Sequence, residues 1–284
     1  MPTTRAAVFL LSIDVEDTRM SIPGGDRYQE AVPRNMATYL EFLDRHNARC
    51  TLFTVGDVAR RYPELVRDFI DRGHEVACHS SDHIPLDRHD PASFRDDLQR
   101  NLEDLRSAGA NDVYGFRAPT LSLTEQSRWA HDVLAELGFR YSSSVLPARN
   151  PLYGWPGFPE EATQTDSGIW EIPLTLSGLP GLNVPFAAGI YFRVLPSLLI
   201  RRLFERTLEK GEPVVSYFHP YDIDTQQERF MHSGLGGNRF YNWLMYWNRK
   251  GLIPRLDRIV TKGAPILPYA EYVSRVLEGE GNAD

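Results

Sequence analysis

The sequence predicts an α/β protein in which a parallel sheet or barrel is wrapped by helices, and three observations carry that reading. Short apolar runs alternate with amphipathic stretches of helical spacing between Val8 and Phe218. Polar residues of catalytic type recur just beyond the C-terminal ends of those runs, where parallel α/β architectures place their ligand sites. At 284 residues, 42% hydrophobic and 24% charged, the chain can bury a large core, most simply as one domain over residues 1–284.

Val8–Ile13 reads as the first strand. Pro33 suits the first turn of a helix over Arg34–His46, with Leu40 and Leu43 on its inner face. Cys50–Val55 is a second strand, Pro63–Arg72 a helix stopped by Gly73, and Glu75–Cys78 a third strand that delivers His79. A helix over Pro91–Ala108 closes at Gly109, a strand covers Val113–Phe116, and Thr124 is a capping candidate for a helix running to Gly138. Tyr141–Ser144 is a short strand. The stretch 147–168, rich in Pro, Gly and aromatics, reads as a functional loop. Ile169–Leu174 and Val214–Phe218 are further strands, with a helix over Pro196–Lys210 between them.

The formal charge of −7 argues against a nucleic-acid binder. Cys50 and Cys78 form no CxxC, so reduced thiols are expected rather than a disulfide framework or a thiolate metal site. The first apolar run is short and soon followed by Asp14, Glu16 and Asp17, which fits a buried strand better than a secretory signal, and no stretch approaches a membrane span. The expected location is therefore cytoplasmic, including the inner face of the membrane.

His79 and His83 stand four apart just past an apolar strand, where two imidazoles can share one metal ion. With one carboxylate they leave coordination positions open for water and substrate, as in a catalytic site. Other strands end in Asp14-Val15-Glu16-Asp17, in Arg117-Ala118-Pro119 and in His219-Pro220, so carboxylates, imidazoles and a guanidinium converge on one end of the sheet. Glu16 and Asp17 compete as the carboxylate ligand. In an extended strand Asp14 and Glu16 share a face, whereas Asp17 reaches the ion only if the chain turns after Val15.

These blocks, with Thr51-Leu52-Phe53-Thr54-Val55-Gly56, Gly73-His74-Glu75-Val76-Ala77-Cys78-His79, Gly115-Phe116-Arg117-Ala118-Pro119, Trp170-Glu171-Ile172-Pro173 and Tyr217-Phe218-His219-Pro220, resemble the polysaccharide deacetylases of carbohydrate esterase family 4. The likeness is to a divergent branch that includes exopolysaccharide and peptidoglycan-type enzymes. It implies a distorted (β/α) barrel of about seven strands. It also implies Asp14 as general base, an acidic residue just after it as metal ligand with His79 and His83, and His219 as general acid. Because the family usually uses Asp as ligand, Asp17 is preferred here and Glu16 kept as the alternative.

Arg117 would orient Asp14 through a charge-assisted hydrogen bond. The metal expected is zinc, with cobalt, nickel and iron also compatible with such a donor set. The implied substrate is an N-acetylated sugar of bacterial surface polysaccharide, O-antigen or glycolipid synthesis, nucleotide-linked or lipid-linked. Alternatives of the same fold are a ureide or cyclic amide hydrolase and a non-catalytic glycan-binding module.

Substrate contacts are expected from Pro119, Trp170, Glu171, Tyr191 and Arg193, although Trp170-Glu171 equally reads as a strand that buries its Trp. Asp82 is a candidate to steady an imidazole, and His74 and His89, which carry no motif, read as surface or supporting residues. Ser142 stands where the family commonly has Asp. The segment Arg239–Lys250 mixes aromatic and basic residues, as interfacial helices with peripheral membrane contact do. An outer barrel helix turning Trp243 and Trp247 inward is the preferred reading of that segment.

Overall fold

Residues 8–15 are apolar except for Ser12 and Asp14, and every one is buried, as a strand must be when helices cover one of its faces and a barrel interior the other. In the computed structural model, which describes residues 6–150, 152–261 and 265–279, this run forms two strands, β1 (Phe9–Leu10) and β2 (Ser12–Val15). Met1 to Arg5, at the start of the run read as strand rather than signal, and Pro151 of the expected 147–168 loop lie outside the described residues.

Helix α1 (Val32–Arg45) carries Pro33 in its first turn and buries Val32, Met36, Tyr39, Leu40, Phe42 and Leu43 along one stripe. Next come β3 (Thr51–Thr54), α2 (Gly56–Arg61), α3 (Pro63–Asp71) and β4 (Glu75–Cys78). Helix α4 (Pro91–Ser107) starts from a reciprocal cap between Asp90 and Ser93. It is followed by β5 (Gly115–Phe116), α5 (Ala130–Glu136), β6 (Tyr141–Ser142), β7 (Thr163–Gln164) and β8 (Trp170–Glu171). The helix expected from Thr124 to Gly138 is shorter than expected, because Thr124 and Ser127 cap a single 3-10 turn before α5 begins. The 147–168 stretch is not wholly irregular, since β7 folds back antiparallel onto β8.

The remaining elements are α6 (Gly189–Val194), α7 (Ser197–Glu209), β9 (Val214–Val215), α8 (Arg239–Tyr246), α9 (Leu252–Val260) and α10 (Tyr269–Tyr272). Helix α8 corrects one expectation. None of its residues is buried, and Trp243 and Trp247 point to solvent rather than into the barrel wall.

The main sheet has seven strands in the order β2-β3-β4-β5-β6-β8-β7, parallel except for β7. A second ladder pairs β1 with β9, and Ile13 bridges Phe218 in parallel, so the strand through β9 to His219 lies beside β1 and β2. Between β8 and β9 no strand ladder forms among the described residues, and the Thr175 hydroxyl bridges the gap, donating to the Pro213 carbonyl at 3.2 Å and accepting from the Val215 amide at 2.8 Å. The fold is thus the expected distorted (β/α) barrel. Its parallel strands send the ends of β2, β4, β5 and β9 to one rim, and the candidate residues ride on those ends.

Candidate active site

Strand alternation decides which acidic residue of β2 and its exit faces the histidines. Asp14 and Glu16 point the same way, and the chain turns only after Glu16. A carboxylate oxygen of Glu16 and ring nitrogens of His79 and His83 lie within 4.8 Å of one another. His83 Nε2 is 2.6 Å from Glu16 Oε2. Asp17, the preferred ligand in the sequence reading, is turned away. It caps the turn Thr18–Ser21, and its carboxylate accepts from Arg19 Nη2 at 2.6 Å and Arg61 Nη1 at 3.1 Å. A short side chain that caps its own turn and neutralises two guanidiniums has no reach back to the imidazoles.

His83 reaches the site because the backbone after β4 is forced round. Ser80 and His83 both have left-handed backbone, φ 68° and 54°, which costs a non-glycine residue of order 1 kcal/mol and persists only where the surroundings fix it. Two residues one turn apart on α4 do so: Asn101 Nδ2 donates to the Ser80 carbonyl at 2.7 Å, and Asp97 accepts from the Ser81 amide at 3.1 Å. The result sets the His79 and His83 rings edge to face, centroids 4.9 Å apart. Asp82 does not steady an imidazole as expected; it is exposed and pairs with Arg60 and Arg100.

His79 is fully desolvated. Its Nδ1 donates to the Arg117 carbonyl at 2.8 Å, which fixes the tautomer and aims Nε2 at the site, and burial pushes its pKa down to about 4. A neutral imidazole is the form a metal ion requires. Burial alone would raise the Glu16 carboxyl, but the facing imidazoles, His83 first, outweigh it and hold Glu16 well below the usual carboxylate range.

Arg117 organises the general-base candidate. Buried completely, it donates to Asp14 Oδ1 at 2.8 Å, Ser12 Oγ at 2.6 Å and the Ser143 carbonyl at 2.8 Å, with its guanidinium over the Phe53 ring. The second Asp14 oxygen stands 3.9 Å from His79 Nε2. Ser142, the departure from the family pattern, donates to Ser144 Oγ at 2.8 Å, and Ser144 Oγ accepts from the Ala118 amide at 2.8 Å, so the serine run braces the exit of β5.

On the far side of Glu16, His219 Nε2 lies 3.8 Å from Oε1. Its Nδ1 faces Asp222 Oδ2 at 3.0 Å, and Asp222 pairs with Arg193 at 2.9 Å. Burial lowers the His219 pKa, but Asp222 outweighs it and the net shift is upward, while Asp222 itself is held at about 2 against its own burial by Arg193 and His219. The sequence reading missed Asp222. Its signal was the spacing His219-Pro220-Tyr221-Asp222, a His and an acid three apart around a tight turn. Gly189 belongs to the same device, since a Cβ there would lie 2.3 Å from the Asp222 carboxylate.

Four expected substrate contacts are corrected. Arg193 is fully buried and serves Asp222 and the carbonyls of Met245 and Trp247, so it lies behind His219 rather than before a ligand. Glu171 is also buried, taking the amides of Ser144 and Val145 and facing His131 at 3.1 Å, which pins β8 to the turn after β6. Pro119 is buried in the first turn of a 3-10 helix. Trp170 lines a separate cleft of about 380 Å³ at the open seam between β8 and β9. Tyr191 alone remains half-exposed near the site, beside Tyr217, whose hydroxyl burial and Asp14 push up in pKa. His74, read as a surface or supporting residue, is buried.

Residues 24–142 match the polysaccharide deacetylase family model, and residues 143–264 match a domain of unknown function, DUF3473. Residues 24–142 are thus similar to the polysaccharide deacetylases, and the fold of the chain is that of carbohydrate esterase family 4.

A chitooligosaccharide deacetylase from Bradyrhizobium is 34% identical over 97 residues, which cover 34% of this chain and 42% of that protein. A peptidoglycan-N-acetylglucosamine deacetylase from Bacillus cereus is 26% identical over 92 residues, covering 32% of this chain and 34% of the relative. The chain thus spans less than half the length of these relatives.

Among solved structures, a protein from Mycobacterium smegmatis assigned to the polysaccharide deacetylases superposes with TM-score 0.61 at 17% identity, covering 99% of this chain and 93% of that one. The Streptomyces lividans family 4 carbohydrate esterase gives 0.51 at 16% identity, covering 91% and 90%. A family 4 pseudoenzyme from Bacillus anthracis gives 0.52 at 13% identity, covering 94% and 66%. At these identities the superpositions speak to the fold.

Proposed function

We propose that the chain is a metal-dependent N-deacetylase acting on an N-acetylated sugar of bacterial surface glycan synthesis, carried on a nucleotide or a lipid. The observation that carries the reading is the placement of Glu16, His79 and His83 between Asp14 on one side and His219 on the other. A carboxylate and two imidazoles, one of them held neutral, are a donor set for a divalent ion with zinc as the leading candidate. Ligands of one such ion lie roughly 3.3 Å apart, so the His83–Glu16 contact at 2.6 Å would open by under about 1 Å to admit it.

When bound there, the ion would polarise the acetamide carbonyl and lower the pKa of a water. The protein's own residues supply the rest. Asp14, oriented by Arg117, takes the proton of the attacking water. His219, held by Asp222, gives a proton to the departing amine nitrogen, and Asp222 shifts its pKa upward, toward the protonated form that role needs. Tyr191 and Tyr217 stand at the rim where a sugar ring would approach.

The test is acetate release from chitooligosaccharides and from nucleotide-linked N-acetylhexosamines by protein stripped of metal and then reloaded. The reading expects activity lost on chelation and restored by zinc or cobalt. Metal-loaded, folded protein that binds glycan without releasing acetate would show a non-catalytic module instead, and turnover of cyclic ureides alone would move the chemistry to that class.

A further inference from the structure

Exposed aromatic rings and clustered positive charge meet around α6, α8 and the groove between α7 and α9. On α8, Phe240 is 62% exposed, Tyr241 54% and Trp243 41%, and Trp247 just beyond is 46% exposed. The rings are contiguous: Phe240 stacks on Trp243 with centroids 6.0 Å apart, and Trp243 meets Trp247 at 4.7 Å. They are also held in place, because the buried Arg193 donates to the carbonyls of Met245 and Trp247, and Asn248 Nδ2 returns a bond to the Arg193 carbonyl at 2.9 Å.

Between α7 and α9 lies a groove of about 210 Å³ lined by apolar Leu198, Ile200 and Ile259 and by Arg201, Arg255 and Arg258. Arg255 donates to the carbonyls of Phe192 and Leu195 at 2.6 and 2.8 Å, which joins the groove to α6 and so to the aromatic patch. Arg201 has a single long contact with Glu205 at 3.5 Å, and Arg258 makes no ion pair among the described residues.

The charge here opposes that of the whole chain. Residues 239–258 hold five basic residues against one acid, Asp257, in a protein of net charge −7, and with Arg249 buried, Arg239, Lys250, Arg255 and Arg258 are the four that reach the surface. Asp257 is turned to α1, where it pairs with Arg45 and His46. Three arginines among apolar side chains call for an anionic head with an apolar tail, and amphipathic rings nearby suit the headgroup boundary of a bilayer.

We propose that this face docks the protein onto an anionic phospholipid surface, with Phe240, Trp243 and Trp247 at the headgroup level and Arg201, Arg255 and Arg258 on lipid phosphates. The face adjoins the catalytic rim through α6, which carries Tyr191 beside Tyr241 and Gly189 against Asp222. Docking would therefore hold the site near the membrane surface, where a lipid-linked glycan is presented. The inference goes beyond the deacetylase reading and needs no turnover for its test.

Co-sedimentation of the full chain with phosphatidylcholine vesicles, with and without about a third phosphatidylglycerol, measures it directly. Binding to the anionic vesicles is expected, with a blue shift of tryptophan emission and loss of binding as salt is raised. A Phe240→Ser/Trp243→Ser protein and an Arg201→Glu/Arg258→Glu protein should each bind at least about tenfold less tightly. Acetate release from soluble chitooligosaccharide, if wild type shows it, should be unchanged in both, so failure of docking and failure of the enzyme reading are separable.

The proposal is overturned if neither vesicle is bound, or if both variants bind as wild type does. It is equally overturned if the aromatic variant instead dissociates a dimer seen by light scattering, or if chitooligosaccharide, and not lipid, shifts the tryptophan emission.

Discussion

The two halves of the chain contribute to one site in different ways. The half ending near Ser142 supplies Asp14, Glu16, His79, His83 and Arg117 from the ends of adjacent parallel strands, so its geometry follows from strand pairing. The half from Ser143 onward supplies His219, and positions it through an ion-pair relay of side chains, Asp222 from the tight turn that follows it and Arg193 from α6. Backbone ladders place the metal side, with Asn101 and Asp97 of α4 holding the turn that brings in His83, and a buried ion-pair relay places the proton-donating side. The first arrangement is rigid because several strands would have to move together, whereas the second depends on the satisfaction of single charges.

The largest effect should come from the ladder-built half. His79→Ala or Glu16→Gln is expected to lower kcat/KM for acetate release by at least ~10³, the scale of several kcal/mol of lost charge stabilisation, with metal content falling in parallel. Asp17→Asn should retain activity within about threefold and bind metal normally, because that carboxylate serves Arg19 and Arg61. Metal analysis beside kinetics separates the pair, and an inactive, metal-free Asp17→Asn with an active Glu16→Gln would reverse the ligand assignment.

His219→Ala tests the other half. Loss of a general acid costs about 10² to 10⁴ in rate, but only where the leaving group needs a proton. Amide hydrolysis should therefore fall by that factor while hydrolysis of an activated aryl acetate falls by less than about tenfold. Equal losses on both substrates would place His219 outside proton transfer.

Asp222→Asn should be milder, about 10- to 100-fold in kcat with KM little changed, since it removes the partner that fixes the imidazole and leaves the ring present. Gly189→Ala should resemble it, because the added methyl displaces the same carboxylate. If Asp222→Asn changed KM alone, the relay would be acting on substrate binding instead.

The same contrast explains what could be read from the sequence. Strand order, the His79–His83 pair and the Arg117–Asp14 contact were legible because each is local, carried by a short motif at a strand end. The geometry favours Glu16 over the expected Asp17, because the alternation of β2, which family habit outweighed in the sequence reading, puts Asp14 and Glu16 on one face. Arg193 and Glu171 were misread as ligand contacts because sequence shows a charge but not its burial. Both satisfy buried groups: Arg193 the carboxylate of Asp222, and Glu171 the orphan amides of Ser144 and Val145. The outward Trp243 and Trp247 were missed because an aromatic stripe at helical spacing usually marks the core.

The smallest predicted effect compares one buried histidine from each half. His74 and His232 are both desolvated, each with an Nε2 that has no protein partner. Burial pushes His74 down to about 4, against opposing contributions led by Asp44, and pushes His232 down to about 3, with Arg249 adding to the shift. Both therefore stay neutral in the fold while the unfolded chain takes up protons near the ordinary value of 6.5. Above that value neither costs stability. As pH falls below it the unfolded state binds more protons, and stability declines until the folded-state values near 4 and 3 are passed. Tm measured from neutral pH down to acid should accordingly drop less steeply in His74→Gln and in His232→Gln than in wild type, whatever the offset each substitution causes at neutral pH. The His232 protein should keep its advantage to lower pH, because the deeper shift extends the window over which the unfolded state gains protons. A slope unchanged by both substitutions would move the acid sensitivity of the fold to its paired carboxylates.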